Sequence, residues 1–196
     1  VVYIPNFLTR FPEDVNAALR EKMVLAAGRL TEVKRFDLLI EQFAHIHERE
    51  PEWKLHILGD GEYRPKLEEQ IARLGAGAYI TLTGRKNGDE VEREMLSASV
   101  FAMSSRSEGF PFVLMEAQSC GLPIIAYDVR VGPGAVVHDG EDGVLVPEGE
   151  RQQYEDKLCE LMDKPELREK MSANATAAIR EFSEEKVAEK WYEVIE

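Results

Sequence analysis

The sequence predicts a doubly wound, Rossmann-like α/β domain with a parallel sheet, and two features of its pattern support this prediction. Strand-like and helix-like segments alternate almost without interruption along the 196 residues. The strand-like segments are nearly continuous apolar runs, which is typical of parallel strands covered by helices on both faces. Because such sheets bind ligands beyond the carboxyl ends of their strands, we expect the chemistry in the loops that follow the strands.

Each element is predicted from its own local pattern. Apolar runs, several of them stopped by glycine, predict strands at residues 24–27, 53–58, 79–83, 100–103, 123–127 and 143–146. Helices are predicted at residues 34–50, 62–74, 91–96 and 112–120, the last of them followed by Gly121 as a helix stop. From residue 151 onward the chain is predicted to be helical, with Pro165 opening a second helix and Ser183 capping a third.

Length and composition favour one domain with a sizeable core. The chain has 196 residues, of which 44% are hydrophobic, and both values are ordinary for a single globular domain. Residues 151–196 are expected to form a helical tail of that domain. The chain opens on the strand-like residues 1–4 without an initiator Met, so we interpret it as an excised part of a longer protein.

Charge and cysteine content exclude several classes of function. The formal net charge of −13 argues against non-specific nucleic-acid binding, which needs surplus Lys and Arg. No run approaches the roughly 18 apolar residues of a membrane span. Two cysteines, Cys120 and Cys159, provide neither a disulfide framework nor a metal-ligand spacing. We expect two reduced core thiols in a cytoplasmic protein.

Two cations follow the first predicted strand. Arg29 stands where that strand ends, and Lys34 stands where the next helix is predicted to begin. Both side chains can therefore converge at the carboxyl edge of the sheet, where a guanidinium and an ammonium would suit a diphosphate. The alternative is two ordinary surface cations, and this pair alone does not decide between them.

Two carboxylates flank the segment after the fourth predicted strand. Glu108 lies in the loop, Pro111 is predicted in the first turn of the following helix, and Glu116 lies little more than one turn further on. Helical side chains lean toward the N-terminus, so Glu116 is expected to face the same crevice. Carboxylates beside a phosphate site suit hydrogen-bond donors such as sugar hydroxyls. Two solvated glutamates are the alternative, and spacing alone does not exclude it.

Taken in order, these positions resemble glycosyltransferase family 4, whose members have a two-domain GT-B fold. The resemblance covers nearly the whole chain. It is carried by Arg29 with Lys34, Gly59-Asp60-Gly61, Gly84-Arg85, Glu108 and Glu116 with seven residues between them, Cys120-Gly121-Leu122-Pro123, Asp139-Gly140 and Gly143-Val144-Leu145-Val146-Pro147.

The resemblance implies a role for each matching residue. Residues 1–196 would be the donor-binding half of the enzyme, and the acceptor-binding N-terminal domain would be absent from this chain. Arg29 and Lys34 would neutralise the donor diphosphate, and Glu108 would hold hydroxyls of the transferred sugar beside the reacting carbon. Glu116 would accept hydrogen bonds from the ribose. The remaining donor-binding residues would be Gly28, Arg85, Lys86, Asn87, Gly109, Phe110 and Phe112.

Three positions depart from the family pattern. Arg35 and Pro111 stand where relatives often have glycine, and Pro111 removes one amide donor. Ala135, in the loop that begins at Val131, stands where relatives commonly carry glutamate. The role of that glutamate is therefore not carried over to this chain.

The resemblance implies a retaining transfer of a sugar from a nucleotide donor, most simply UDP-linked, to a hydroxyl acceptor. A glycan or lipid-linked acceptor would bind through the absent domain, which could also bring peripheral membrane association. No cofactor and no metal are expected, since the sequence contains no Asp-x-Asp motif. Two alternatives stay open: a nucleotide-sugar epimerase of the same fold, which the two glutamates with Arg29 and Lys34 disfavour, and a non-catalytic nucleotide-sugar-binding module.

Overall fold

A computed structural model describes residues 6–13, 15, 20–109, 111–130 and 132–195. It confirms the predicted fold class: six parallel strands form one sheet in the order β3-β2-β1-β4-β5-β6. The strands are β1 Met23–Ala27, β2 Lys54–Leu58, β3 Ile80–Gly84, β4 Val100–Met103, β5 Ile124–Asp128 and β6 Gly143–Pro147. Residues 1–4, predicted to be strand-like, lie outside the described residues.

Helices connect the strands and cover both faces of the sheet. They are α1 Phe36–His47, α2 Arg64–Arg73, α3 Gly88–Ser97, α4 Phe112–Ser119, α5 Arg151–Asp163, α6 Pro165–Ala178 and α7 Glu184–Ile195. Short 3-10 turns occur at Glu32–Lys34, Pro133–Ala135 and Ile179–Phe182. Pro165 opens α6, and the Ser183 hydroxyl accepts a hydrogen bond from the Lys186 amide, as the sequence predicted.

Alternation along the central strands divides the core into two layers. In β1, Val24 and Ala26 belong to the apolar cluster that packs with α1, α2 and α5. Met23 and Leu25 belong to the cluster on the opposite face, which includes residues of α3 and α4. Because successive strand residues point to opposite faces, a strand buried on both sides must be apolar throughout.

The helical tail predicted at residues 151–196 is present, and α5 packs against α1 and β5. Cys120 and Cys159 are free and buried, and burial raises the pKa of Cys120 to about 12. Within the described part of the chain, no helix combines the length and apolar character needed to cross a membrane.

Two residues predicted in the first turn of a helix lie just before that helix, although the predicted start of α4 at residue 112 is confirmed. Lys34 was placed at the beginning of a helix but is the last residue of a 3-10 turn, and α1 begins two residues later. The intervening Arg35 adopts a left-handed conformation with φ 52°, which interrupts the helical pattern. Pro111 was placed in the first turn of α4 but immediately precedes Phe112, the first helical residue.

Candidate functional site

The candidate site lies where the strand order reverses. Strand β1 pairs with β2 on one side and with β4 on the other. The connections that leave β1 and β4 therefore run to opposite sides and open a crevice at the carboxyl edge, where doubly wound sheets bind ligands. The loop after β1 brings Gly28, Arg29 and Lys34 to this crevice, and the loop after β4 brings Glu108.

Close backbone contacts form one wall of the crevice. Gly59, with φ 136°, follows β2 and packs against the carbonyl of Gly28 so closely that a Cβ would lie 1.9 Å from its oxygen. At Gly61 a Cβ would lie 2.4 Å from the Leu30 carbonyl oxygen. Only glycine fits such approaches, and this explains the Gly59-Asp60-Gly61 motif as a packing requirement.

Lys34 and Glu108 form an ion pair across the crevice. The Lys34 ammonium donates to both carboxylate oxygens of Glu108, at 2.6 and 2.9 Å. Only 23% of the Lys34 side chain and 10% of the Glu108 side chain are exposed. Partial burial strengthens such a pair relative to one on the surface. The ammonium keeps a third N–H for another acceptor.

Arg29 is arranged differently from Lys34. Its guanidinium reaches Glu62 at 3.4 Å, and its side chain is 75% exposed. An exposed pair at this distance contributes about 0–1 kcal/mol, so the guanidinium is easily released to a stronger anion. The two cations flank the same glycine, Gly28, because the Lys34 side chain lies 3.4 Å from where a Gly28 Cβ would be.

A cavity of about 590 Å³ lies beside these residues. Its lining includes Gly28, Arg29, Arg85, Lys86 and Glu116, which come from the loop after β1, the loop after β3 and helix α4. Burial raises the pKa of the Glu116 carboxyl, since desolvation disfavours the ionised form. The lateral walls are apolar and include Val91 and Val113. This size and mixed polarity suit a small polar molecule with one flat apolar face.

The Arg85–Asn87 segment is placed beside the cavity, but its side chains are engaged unequally. Arg85 is exposed, and the Lys86 ammonium pairs with Glu94 at 3.1 Å. The Asn87 side chain accepts a hydrogen bond from the Glu90 amide and caps α3 in a reciprocal capping box. Asn87 therefore has a structural role whatever ligand the loop contacts.

The remaining predicted donor residues lie at the entrance to α4. Gly109 is exposed, and Phe112 begins α4 with 47% of its surface exposed. Phe110 lies outside the described residues. Pro111, the departure at this position, is buried and accepts a hydrogen bond from the Leu114 amide.

Backbone geometry also describes the other two positions that depart from the family pattern, Arg35 and Ala135. Among the described residues, Arg35 is the only non-glycine residue with a positive φ. Glycine adopts a positive φ without strain, which explains why the family pattern often has glycine at this position. In the loop after β5, Gly132 has φ 133°, and a Cβ there would lie 2.7 Å from the Cβ of Glu108. This loop therefore packs directly against the side chain of Glu108. Ala135 ends the adjacent 3-10 turn and is exposed.

Sequence reasoning missed several residues that hold the site in place. Glu62 pairs with Arg29, Asp60 lines the cavity, and Glu94 anchors Lys86 while contacting His56 at 3.4 Å. Asp60 had a usable signal, because it lies between two glycines directly after a strand. Glu62 and Glu94 had none, since each is one of many glutamates on helical or turn segments.

Among the described residues, no group of three or more His, Cys, Asp or Glu side chains could hold a metal ion. The charged groups that converge at the crevice are instead two cations and two carboxylates. Such a set can bind an anion and a polyol side by side.

Comparison with known proteins places this arrangement in a family. The sequence profile described as Glycosyl transferases group 1 matches residues 9–178. The amylovoran biosynthesis glycosyltransferase AmsD of Erwinia amylovora is 34% identical over 192 residues, which are 97% of this chain and 52% of that protein.

Two solved structures are also similar. The pneumococcal O-GlcNAc transferase GtfA, in complex with UDP and GlcNAc, has a TM-score of 0.82 and 30% identity over 97% of this chain and 38% of its own. A mutant of S. aureus TarM, in complex with Fondaparinux, alpha-GlcNAc-glycerol and UDP, has a TM-score of 0.84 and 25% identity. The similarity covers 98% of this chain and 38% of the TarM chain. This chain thus spans about half of AmsD and less of the two crystallised proteins.

Proposed function

The chain belongs to the family of glycosyl transferases group 1, and on that premise we propose that it is the nucleotide-sugar-binding part of a retaining GT-B enzyme of glycosyltransferase family 4. The donor is UDP-linked, and the acceptor is a hydroxyl of a glycan or lipid-linked glycan. Membership in the family supports the reaction class. The UDP bound in the two similar crystal structures supports the choice of nucleotide.

The observation that carries the proposal is the Lys34–Glu108 pair at the reversal of the strand order. The pair joins a phosphate-binding group to a hydroxyl-binding group in one rigid unit. A diphosphate at Gly28 would be within reach of the third N–H of Lys34. The sugar that it carries would then lie against the carboxylate of Glu108.

The chemical step follows from the same arrangement. When the bond between the anomeric carbon and the phosphate oxygen breaks, negative charge develops on the leaving diphosphate. Lys34 and Arg29 stabilise that charge, and preorganised cations of this kind lower the barrier. The acceptor hydroxyl attacks the face that the phosphate is leaving and gives its proton to the phosphate oxygen, so the configuration is retained. No residue of this chain is assigned as a nucleophile.

The opposite end of the donor is held by the cavity. Glu116 is positioned to accept hydrogen bonds from the ribose hydroxyls, and the apolar walls suit the face of a uracil ring. The Arg85–Asn87 segment frames the base. Because Arg29 and Lys34 supply positive charge for the phosphates, we propose that donor binding needs no metal ion.

Calorimetry with UDP in the presence of a chelator tests the donor site. We expect binding to survive chelation and to weaken in Lys34→Ala by about 1.5–3 kcal/mol, because a charge-assisted contact is lost. Arg29→Ala should lose less, since Arg29 is largely exposed. Lys170→Ala, an exposed lysine on α6 outside the cavity, is the matched control. Binding that vanishes on chelation, or that is equal in all four proteins, contradicts the proposal.

The two glutamates are separated by comparing UDP with a UDP-sugar. Glu116→Ala should weaken both ligands, because both carry the ribose. Glu108→Gln should weaken only the UDP-sugar, and it should strengthen UDP binding slightly because Lys34 is freed from its ion pair. Equal losses of both ligands in both variants would contradict the assigned roles.

A further inference from the structure

A second, smaller cavity of about 200 Å³ opens on the same edge of the sheet. Three arginines line it from different segments: Arg35 precedes α1, Arg106 follows β4, and Arg151 begins α5. One carboxylate, that of Glu148, also lines the cavity. Three guanidinium groups around so small a space in a chain of net charge −13 are not a general feature of its surface.

The three guanidinium groups are only loosely held by the protein. The Arg35 guanidinium lies 3.2 Å from the Asp37 carboxylate. The Arg151 guanidinium lies 3.6 Å from the Glu41 carboxylate, and about half of each of these two side chains, Arg151 and Glu41, is exposed. Arg106 makes no ion pair with any described residue. The exposed Arg151–Glu41 pair is weak, so an oxyanion with bidentate geometry can replace Glu41.

Two serines, Ser104 and Ser105, add hydroxyl groups to the lining of the cavity. Ser105 lines the cavity and is only 4% exposed, yet its hydroxyl forms no hydrogen bond with a described residue. Its neighbour Ser104 is fully engaged, donating to the Lys34 carbonyl at 2.9 Å. The Ser105 hydroxyl is therefore available to donate a hydrogen bond to an anion in the cavity.

The cavity adjoins the donor site through the backbone. Arg35 follows Lys34 directly, and Arg106 lies two residues before Glu108. The Arg106 amide also donates to the Val33 carbonyl at 2.9 Å, which ties the two loops together. The cavity and the Lys34–Glu108 pair are therefore built from the same two loops.

We propose that this cavity is an oxyanion subsite, which binds a phosphate ester or carboxylate carried by a sugar or polyol next to the transferred sugar. The inference rests on the proposed donor site for its role in the reaction, but not for its binding chemistry. The anionic group can belong to the acceptor or to the donor sugar. In either case its attachment to Arg35, Arg106 and Arg151 selects charged substrates over neutral ones.

The first experiment titrates glycerol 3-phosphate, with glycerol as the neutral control, into the chain saturated with UDP. UDP blocks the diphosphate site, and a parallel titration without UDP keeps the result readable if UDP itself fails to bind. We expect the double variant Arg106→Gln/Arg151→Gln to bind glycerol 3-phosphate about tenfold more weakly or worse. Arg73→Gln, an exposed arginine at the end of α2, should bind like wild type.

A gain-of-binding variant guards against loss through misfolding. Glu148→Gln removes the one carboxylate of the cavity lining and should strengthen glycerol 3-phosphate binding several-fold. A second arm compares UDP-glucuronate with UDP-glucose. A preference for UDP-glucuronate that disappears in the double variant assigns the subsite to the donor sugar, whereas an effect limited to glycerol 3-phosphate assigns it to the acceptor.

Four results overturn the proposal. The first is no binding of glycerol 3-phosphate together with no preference for UDP-glucuronate. The second is binding that the double arginine variant leaves unchanged. The third is binding lost only in Lys34→Ala, which would place the probe in the diphosphate site. The fourth is an unchanged affinity in Glu148→Gln, since a carboxylate in the cavity must repel an anion there.

Discussion

Glu116, to which we assign the ribose contact, carries a carboxyl group that the folded state disfavours in its ionised form. Although part of its surface is exposed, partial desolvation beside the cavity raises the pKa of its carboxyl in the folded state, so the ionised form at neutral pH is disfavoured relative to the unfolded chain. The carboxyl therefore destabilises the fold above its folded pKa. That destabilisation is removed as the pH falls through the folded pKa toward the unfolded value.

Because the ionised Glu116 carboxyl destabilises the fold, its replacement should change the free energy of unfolding and the affinity for UDP in opposite directions. Glu116→Gln should raise the free energy of unfolding at about pH 7, and the difference from wild type should shrink toward about pH 4. The same variant should bind UDP more weakly, because a neutral amide is a poorer acceptor for ribose hydroxyls. Urea denaturation at the two pH values and calorimetry with UDP measure the two effects. A variant that is less stable at neutral pH, or that binds UDP normally, would contradict this account.

Gly132 provides a second prediction for a single residue. Its φ of 133° and the 2.7 Å between an added Cβ and Glu108 Cβ leave no room for a side chain. Gly132→Ala should lower the free energy of unfolding by about 1–3 kcal/mol and displace Glu108 from Lys34. Gly134→Ala, in the same loop, would place its Cβ at an ordinary contact distance of 3.6 Å from Asp128 and should be nearly neutral. Equal stability of the two variants in urea would show that the close approach does not exist.

The sequence could place these residues near one another but could not pair them. Glu108 and Lys34 each follow a predicted strand, so a shared edge was predictable. Their direct contact depends on β4 lying beside β1, although the two residues are 74 positions apart in sequence, and no local pattern encodes strand order. The left-handed Arg35 was equally hidden, because arginine carries no local signal for a positive φ.

Among the elements, the strands were the most predictable. Each of the six was recognised as an apolar run because burial on both faces requires it, and their boundaries agree to within about one residue. Helix starts were less predictable. The 3-10 turn at Glu32–Lys34 and the break at Arg35 arise from tertiary packing around Gly28, which helical periodicity does not report.

Helix α3 gives the prediction at this scale. Asn87 caps it reciprocally with Glu90, so Asn87→Ala should cost about 1 kcal/mol of stability. Asn87→Asp keeps a capping oxygen and should retain most of that stability. Because the cap also fixes the Arg85–Asn87 segment beside the cavity, Asn87→Ala should weaken UDP while Asn87→Asp should not. Thermal melts and calorimetry on both variants provide the measurement, and equal melting temperatures would exclude a role for the cap.

At the scale of the whole molecule, we ask whether the crevice of this chain suffices for sugar transfer or only for donor binding. The chain supplies Lys34, Glu108 and the cavity, while the relatives it matches are about twice its length or longer. We predict that this chain binds the UDP-sugar but transfers none of it, because an open site leaves the departing phosphate exposed to water. Product formation followed by NMR is the measurement.

Fusion to an N-terminal acceptor-binding domain of the same family should restore transfer. The anomeric configuration of the product should match that of the donor. Efficient transfer by the chain alone would contradict the division into halves, and an inverted product from the fusion would contradict the retaining assignment.

The position of β1 in the sheet also bears on how the domain folds. Its pairing with β2 can form once residues 23–58 are available, but its pairing with β4 joins Val24 to Val100 and Leu25 to Phe101. Contacts between residues so distant in sequence form slowly, because the intervening chain must be closed into a loop first. Until then β1 is an open edge, able to recruit other chains. The crevice between β1 and β4 exists only once this pairing has formed, so we predict that UDP binding appears only after β1 and β4 have paired and can be used to follow that step of folding.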